Sequence, residues 1–135
     1  MLLPHGTVIA LVDGEKLDLF RNGGNESHPE LAPLPAPTLD ETRHNAGQRQ
    51  DSNRGNPSGH HHLEASHAAA VAEWLNSQVL GHKIEHLVVI ADPRTLGEMR
   101  RHYHKQLEAV LLGELAKDLA GRSGPDIIAA LREKA

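Results

Sequence analysis

The chain has 135 residues, a formal net charge of −4 and no cysteine. This length fits one domain spanning residues 1–135, and the negative charge argues against a strongly basic nucleic-acid-binding protein. Without cysteine the chain can form no disulfide, thiolate nucleophile or cysteine-ligated zinc site, and because its apolar runs are too short to span a membrane, we expect a cytoplasmic protein without a cofactor.

The chain begins with a predicted β-hairpin. Two apolar runs, residues 7–13 and residues 16–22, flank the pair Asp13-Gly14. An Asp-Gly pair between two apolar runs is typical of a tight hairpin turn. In the second run leucines alternate with other residues, which indicates a strand with one partly solvated face.

Residues 23–59 have a different composition, rich in proline, glycine, asparagine and serine. A connection this long is usually functional or disordered, and we expect a long mobile loop. Within it, residues 30–39 could form an edge strand whose prolines occupy positions that need no hydrogen bond. Such an edge could pair with a second copy in a homodimer.

A helix and a buried strand follow the loop. Apolar residues at helical spacing predict a helix over residues 63–79, with Gly81 as its stop. Residues 86–91 (HLVVIA) then form a continuous apolar run, which is typical of a strand covered on both faces. Asp92 can cap the next helix and Pro93 can open it, which predicts a helix over residues 95–105.

The stretch from residue 107 to residue 119 fits two interpretations. Its leucines and valine have helical spacing, and on pattern alone we favour a helix. Residues 109–117 could equally form a short strand that contains Gly113. After it, Ser123 and Asp126 stand in a capping-box-like pattern that predicts a terminal helix.

Three segments together resemble the bacterial host attachment protein family, whose members are described as required for attachment to host cells. They are VIALVDGEKLDLFRN, LVVIADPRTLGEMR and ELAKDLAGRSGPDIIAAL, and the run from Pro93 to Arg100 is the most specific part. That family is related in fold to the middle domain of archaeal and eukaryotic class-1 release factors. The resemblance implies an α/β domain with a mixed sheet of about five strands flanked by three helices, in the order β-β-(β)-α-β-α-β-α. It also implies that residues 109–117 form a strand.

The loop contains a tripeptide that is similar to a release-factor motif. Release factors carry a Gly-Gly-Gln loop, ahead of the first long helix, that reaches the peptidyl-transferase centre. Here the corresponding loop contains Ala46-Gly47-Gln48, in which Gly47 permits unusual backbone geometry and the Gln48 amide could position a water. The resemblance therefore implies Gln48 as a catalytic residue. The alternative is a chance tripeptide, since the first glycine is missing.

Basic side chains suggest a site for phosphate or for the RNA backbone. The candidate residues are Arg94, Arg100, Arg101, Lys105 and, from the loop, Arg54. The alternative is that these are solvated helix positions, with Glu98 compensating their charge through local pairs. No aromatic platform accompanies them, so the sequence gives little support to stacking of single-stranded bases.

Two further groups of residues invite a metal interpretation. His60, His62 and His67 lie near the start of the predicted helix, but a structural zinc site needs four converging ligands. The alternative is an exposed histidine-rich helix start that binds nickel or zinc adventitiously. Aspartates that follow predicted strands (Asp13, Asp92 and Asp118) could bind Mg²⁺, although a turn, a helix cap and a loop explain each of them separately.

These observations leave three functional hypotheses. The first is a non-enzymatic binding module that contacts RNA, the ribosome or a protein partner. The second is ribosome-associated hydrolysis of peptidyl-tRNA through Gln48. The third is histidine-dependent metal binding.

Overall fold

The structure is a computed structural model that describes residues 1–39 and 59–134, with the backbone only for residues 59–64 and 134. The described strands are β1 (Val8–Val12), β2 (Leu17–Asn22), β3 (Leu31–Leu34), β4 (Leu87–Ala91) and β5 (Leu111–Ala116). The described helices are α1 (Gly59–Leu80), α2 (Pro93–Arg100), α3 (Lys105–Val110) and α4 (Gly124–Lys134). No helix in the described part of the chain has the length and apolar character needed to cross a membrane.

The five strands form one mixed sheet in the order β3-β2-β1-β4-β5, which confirms the predicted α/β fold. Strands β1, β4 and β5 run parallel, whereas β2 and β3 pair antiparallel with their neighbours. The carboxyl ends of the three parallel strands therefore share one edge of the sheet, which we call the carboxyl edge. Their amino ends share the opposite edge, which we call the amino edge.

The two central strands are buried along their whole length because helices cover both faces of the sheet. On one face Val89 packs in a cluster with Leu75 of α1 and Leu96 of α2. On the other face Val88 packs with Ile127 of α4. Burial on both faces explains why β1 and β4 are continuous apolar runs rather than alternating ones.

The segment between β4 and β5 contains two helices where the pattern predicted one. α2 ends at Arg100 and α3 begins only at Lys105, so the predicted helix over residues 95–105 is divided by a turn. α3 then ends at Val110 and β5 begins at Leu111, so both interpretations of residues 107–119 describe part of the segment. The strand implied by the resemblance is confirmed, and α3 is a fourth helix beyond the three expected.

Asn22 at the end of β2 organises the connection to β3. Its buried side chain donates to the carbonyl of Leu3 at 2.8 Å and accepts the backbone N–H groups of Gly24 and Glu30, each at 2.9 Å. Gly24 must lack a side chain, since a Cβ there would clash with the carbonyl oxygen of His28. These contacts lead the chain into β3.

The predicted edge strand within residues 30–39 is confirmed as β3. It pairs with β2 on one side, and Pro33 lies opposite Phe20. The remainder of the predicted loop, residues 40–58, lies outside the described residues, as does the mobility expected for it.

Candidate functional site

The three aspartates that follow strands β1, β4 and β5 serve local backbone structure. Asp13 accepts the N–H of Lys16 at 2.6 Å and closes the hairpin turn. Asp92 caps α2 by accepting the N–H of Thr95 at 3.2 Å and its hydroxyl at 2.7 Å, and Asp118 accepts the N–H two residues later at 3.3 Å. Among the residues that the structure describes, no three His, Cys, Asp or Glu side chains form a group that could hold a metal.

Arg100, one of the candidate phosphate-binding residues, is held in an ionic cluster. Its Nε and Nη2 atoms both lie 3.0 Å from Oε1 of Glu114, and the Tyr103 hydroxyl donates to Oε2 of the same carboxylate at 3.0 Å. The hydrogen bond to Glu114 raises the pKa of Arg100. Burial, and then the nearby Glu114 charge, raises the pKa of Tyr103. The cluster joins the turn after α2 to β5.

The other candidate basic residues lie at the two ends of α2. Arg101 follows the helix and pairs with Glu98 at 3.1 Å, as the local-compensation alternative expected, and its side chain is 75% exposed. Lys105 is exposed at the start of α3, near this same end. Arg94 is exposed in the first turn of α2, about 10 Å away along the helix axis.

The remaining predicted site residues are largely outside the described part of the chain. Gln48 and Arg54 lie within residues 40–58, and of His60 and His62 only the backbone in α1 is described. His67 is described, and it is buried in α1 with 4% of its surface exposed. The catalytic and metal assignments therefore stay predictions.

A cleft of about 470 Å³ opens at the amino edge, between the end of α1 and the start of α3. Its apolar lining consists of Val79, Leu80, Ile84 and Val110. Its polar lining consists of His82, Glu85, His104 and Gln106. Leu80 is 49% exposed, which is high for a large apolar side chain. Sequence reasoning did not identify this group of residues, because they are brought together only by the packing of α1 against α3.

His82 ends helix α1 in a left-handed conformation. The N–H of Lys83 donates to the carbonyl of Gln78 at 2.9 Å and that of His82 donates to Val79 at 3.0 Å, which is the Schellman pattern. In this pattern the left-handed residue is usually glycine, yet here it is His82, with φ 60°. The predicted stop at Gly81 is confirmed, since α1 ends at Leu80, although the left-handed residue is His82 rather than the glycine.

His104 begins helix α3 as its N-cap. Its Nδ1 accepts the N–H of Gln106 at 3.0 Å, so Nδ1 is unprotonated and the neutral ring carries its hydrogen on Nε2. Asn76 of α1 fixes the same turn by donating to the carbonyl of His102 at 2.8 Å and accepting the N–H of His104 at 2.9 Å. His104 is therefore fixed by two helices: Gln106 of α3 contacts its ring and Asn76 of α1 contacts its backbone.

A comparison with known protein families gives a match over most of the chain. A family model described as bacterial archaeo-eukaryotic release factor family 12 matches residues 6–131. The search of curated proteins found no significant match. The relation to release factors that the sequence motifs implied is confirmed, whereas attachment to host cells stays a prediction.

Proposed function

Because the chain belongs to the bacterial archaeo-eukaryotic release factor family 12, we propose that it is a ribosome-associated module that binds RNA without a catalytic step of its own. Family membership is the observation that carries this proposal. Release factors act on the ribosome, whose surface is largely RNA. Because a shared fold does not by itself fix a function, this ribosomal environment is carried over to the chain as part of the proposal.

The charges at the end of α2 support an RNA contact. Lys105 is exposed, and the pair between Arg101 and Glu98 is a surface ion pair worth only about 0–1 kcal/mol. A phosphate can therefore replace the carboxylate of Glu98 at Arg101 at little cost. Arg100 is a poorer candidate, because moving it would leave Glu114, whose side chain is only 17% exposed, without its cation.

Co-sedimentation with ribosomes from the native host, over a range of salt concentrations, tests this proposal. We expect binding that weakens with salt and is lost in the double variant Arg101→Glu, Lys105→Glu. The double variant Arg122→Glu, Arg132→Glu is a matched control, since it makes the same charge change at exposed positions beside and within α4. Equal loss in both variants would show that only net charge matters. Full binding by the first variant would refute an RNA contact at this surface.

A second candidate is hydrolysis of peptidyl-tRNA on the ribosome with Gln48 as the residue that orients water. The family's relation to release factors, together with the tripeptide Ala46-Gly47-Gln48, favours it. Release of labelled peptide from stalled ribosomes would fall by about 100-fold in Gln48→Ala, the scale typical of losing one positioned catalytic group. Gln50→Ala alters a glutamine two positions away and should keep the activity. No release by the wild-type chain, or equal release by both variants, would exclude this candidate.

A further inference from the structure

We infer that the cleft at the amino edge binds the base of a single-stranded RNA nucleotide. The inference rests on the proposed function and names the part of the RNA that this surface takes. The cleft combines an apolar lining, two imidazoles and a carboxamide in one opening.

The lining has the chemistry that a nucleobase requires. A base presents two apolar faces and a polar edge, and unstacked bases are held in proteins by stacking on aromatic side chains, histidine among them. Leu80 and the ring of His82 or His104 can cover the faces of the base. Gln106 offers both a donor and an acceptor to its edge, as in glutamine contacts with adenine, and Glu85 accepts amino hydrogens.

The size of the cleft agrees with this ligand. Sites for small organic ligands enclose about 300–1,000 Å³, and the cleft, at about 470 Å³, lies in the lower half of that range. It can therefore take one base but not a folded RNA element.

The two histidines occupy positions where other residues would stabilise the fold better. Glycine or asparagine is favoured at the left-handed end of a helix, where His82 stands, and serine, threonine, aspartate or asparagine is favoured at the N-cap, where His104 stands. Both helix ends therefore depart from the usual residue preferences, and both border the same cleft. Such departures from local preference concentrate at functional sites.

The cleft also presents the imidazole of His104 in a fixed state. Because Nδ1 of His104 accepts the N–H of Gln106, the Nε2–H of the ring is left as a donor for an acceptor on the base. Asn76 holds the backbone of His104 from α1, so ligand binding does not have to order this residue.

Positive charge beside the cleft suits the phosphate of the same nucleotide. Lys83 adjoins His82 and Lys105 adjoins His104, and both lysines are exposed. Lys105 is thus shared between the proposed backbone contact and the cleft. The described lining of the cleft contains no phenylalanine, tyrosine or tryptophan, so His82 and His104 supply its aromatic surface.

NMR titration of the full chain with adenosine and uridine monophosphates, followed by fluorescence anisotropy with short oligoadenylate RNA, tests the assignment. We expect the ring signals of His82 and His104 to shift with the nucleotides, and abasic RNA of the same length to bind about tenfold more weakly. Equal binding of abasic RNA, or unchanged ring signals, would overturn the inference, since only phosphate would then be recognised.

Two variants of the cleft and one control variant separate the effect on RNA binding from the effect on stability. The double variant His82→Gly, His104→Ser restores favoured residues at both helix ends, so it should melt at a higher temperature yet bind oligoadenylate about tenfold more weakly. Gln106→Ala, which keeps its backbone N–H and both histidines, should also weaken binding. His28→Ser changes an exposed histidine outside the cleft and should alter neither property. Undiminished RNA binding by both the double variant and Gln106→Ala would overturn the inference.

Failure of this inference and failure of the proposed function give different results. If the double variant His82→Gly, His104→Ser and the variant Gln106→Ala both keep ribosome binding and RNA affinity, the cleft assignment fails and the proposed function stands. If the wild-type chain binds oligoadenylate through the cleft but does not sediment with ribosomes, the cleft assignment stands and the proposed function fails.

Discussion

The two edges of the parallel strands use polar residues in opposite ways. At the carboxyl edge, Asp13 and Asp92 are the residue types that a turn and a helix cap favour, and each is bound to the backbone it stabilises. At the amino edge beside β4 and β5, the helix ends carry His82 and His104, which are less favoured there, and an open cleft lies between them.

This difference runs against the usual expectation for open α/β sheets, whose ligands bind at the carboxyl ends of the strands. That rule holds when the loops at the carboxyl edge leave a crevice with free polar groups. Among the described residues at this edge, Asp13, Asp92 and Asp118 are engaged in turns and a helix cap, so they contribute to stability. The cleft found among the described residues, which is the candidate site proposed above, lies at the opposite edge.

The largest change in the free energy of unfolding is expected for a substitution of Asn22. This residue also lies at the amino edge, so it tests whether polar residues along the whole of that edge contribute little to stability. Asn22→Ala should lower the free energy of unfolding by about 3 kcal/mol, because two backbone N–H groups and one carbonyl lose their buried partner. Urea denaturation measures this change. Asn25→Ala removes a single exposed contact to the N–H of His28 and should cost about 0.5 kcal/mol. Equal losses of stability in the two variants would mean that the buried hydrogen bonds of Asn22 contribute no more than an exposed contact does. Polar residues along the whole amino edge would then contribute little to stability.

The next effect concerns the carboxyl edge. Asp92→Ala should lower the free energy of unfolding by about 2 kcal/mol, since α2 loses its N-cap and the hydroxyl of the buried Thr95 loses its acceptor. Asp118→Ala removes only an exposed contact of 3.3 Å and is the smaller change expected. If Asp92→Ala instead left stability unchanged and removed ribosome binding, the carboxyl edge would be the functional one.

Much of the fold could be predicted because local signals agreed with the tertiary structure. The continuous apolar runs indicated β1 and β4, and the Asp-Gly pair indicated the hairpin between β1 and β2. β5 could not be predicted from pattern, since at the edge of the sheet only Leu115 is buried and a six-residue strand has no distinctive period. The resemblance resolved that ambiguity.

The candidate site could be predicted only in part. The cap at Asp92 and the local compensation of Arg101 by Glu98 follow from sequence spacing. The partner of Arg100 does not, because Glu114 lies on β5 and is brought to it by the turn after α2. The cleft is harder still to predict from the sequence. It forms only because the packing of α1 against α3 brings residues near His82 close to residues near His104.

The histidine ends of α1 and α3 provide a direct test of the contrast between the edges. His82→Gly should raise the free energy of unfolding by about 1 kcal/mol, because glycine adopts a left-handed conformation without the steric cost of a Cβ. His104→Ser should raise it by about 0.5 kcal/mol, since serine is a better N-cap. Thermal and urea unfolding measure both changes. His82→Ala is the control, because it keeps the Cβ and should give no gain in stability. An equal gain in His82→Ala would show that the imidazole ring, and not the left-handed backbone, lowers the stability.

The smallest effect at neutral pH concerns the cluster that joins the turn after α2 to β5. Tyr103 is the single tyrosine of the chain, so its ionisation can be followed directly by ultraviolet absorbance. Burial and the nearby Glu114 raise its pKa in the folded protein above the value of about 10 found for free tyrosine. The stability that depends on the neutral phenol is therefore complete below about pH 10 and declines as pH rises further, because the unfolded chain ionises first.

Absorbance should change only as the protein unfolds in alkali, and Tyr103→Phe should reduce this alkaline sensitivity. Ionisation near pH 10 without unfolding would show that the phenol is accessible and that its bond to Glu114 contributes little to the amino edge.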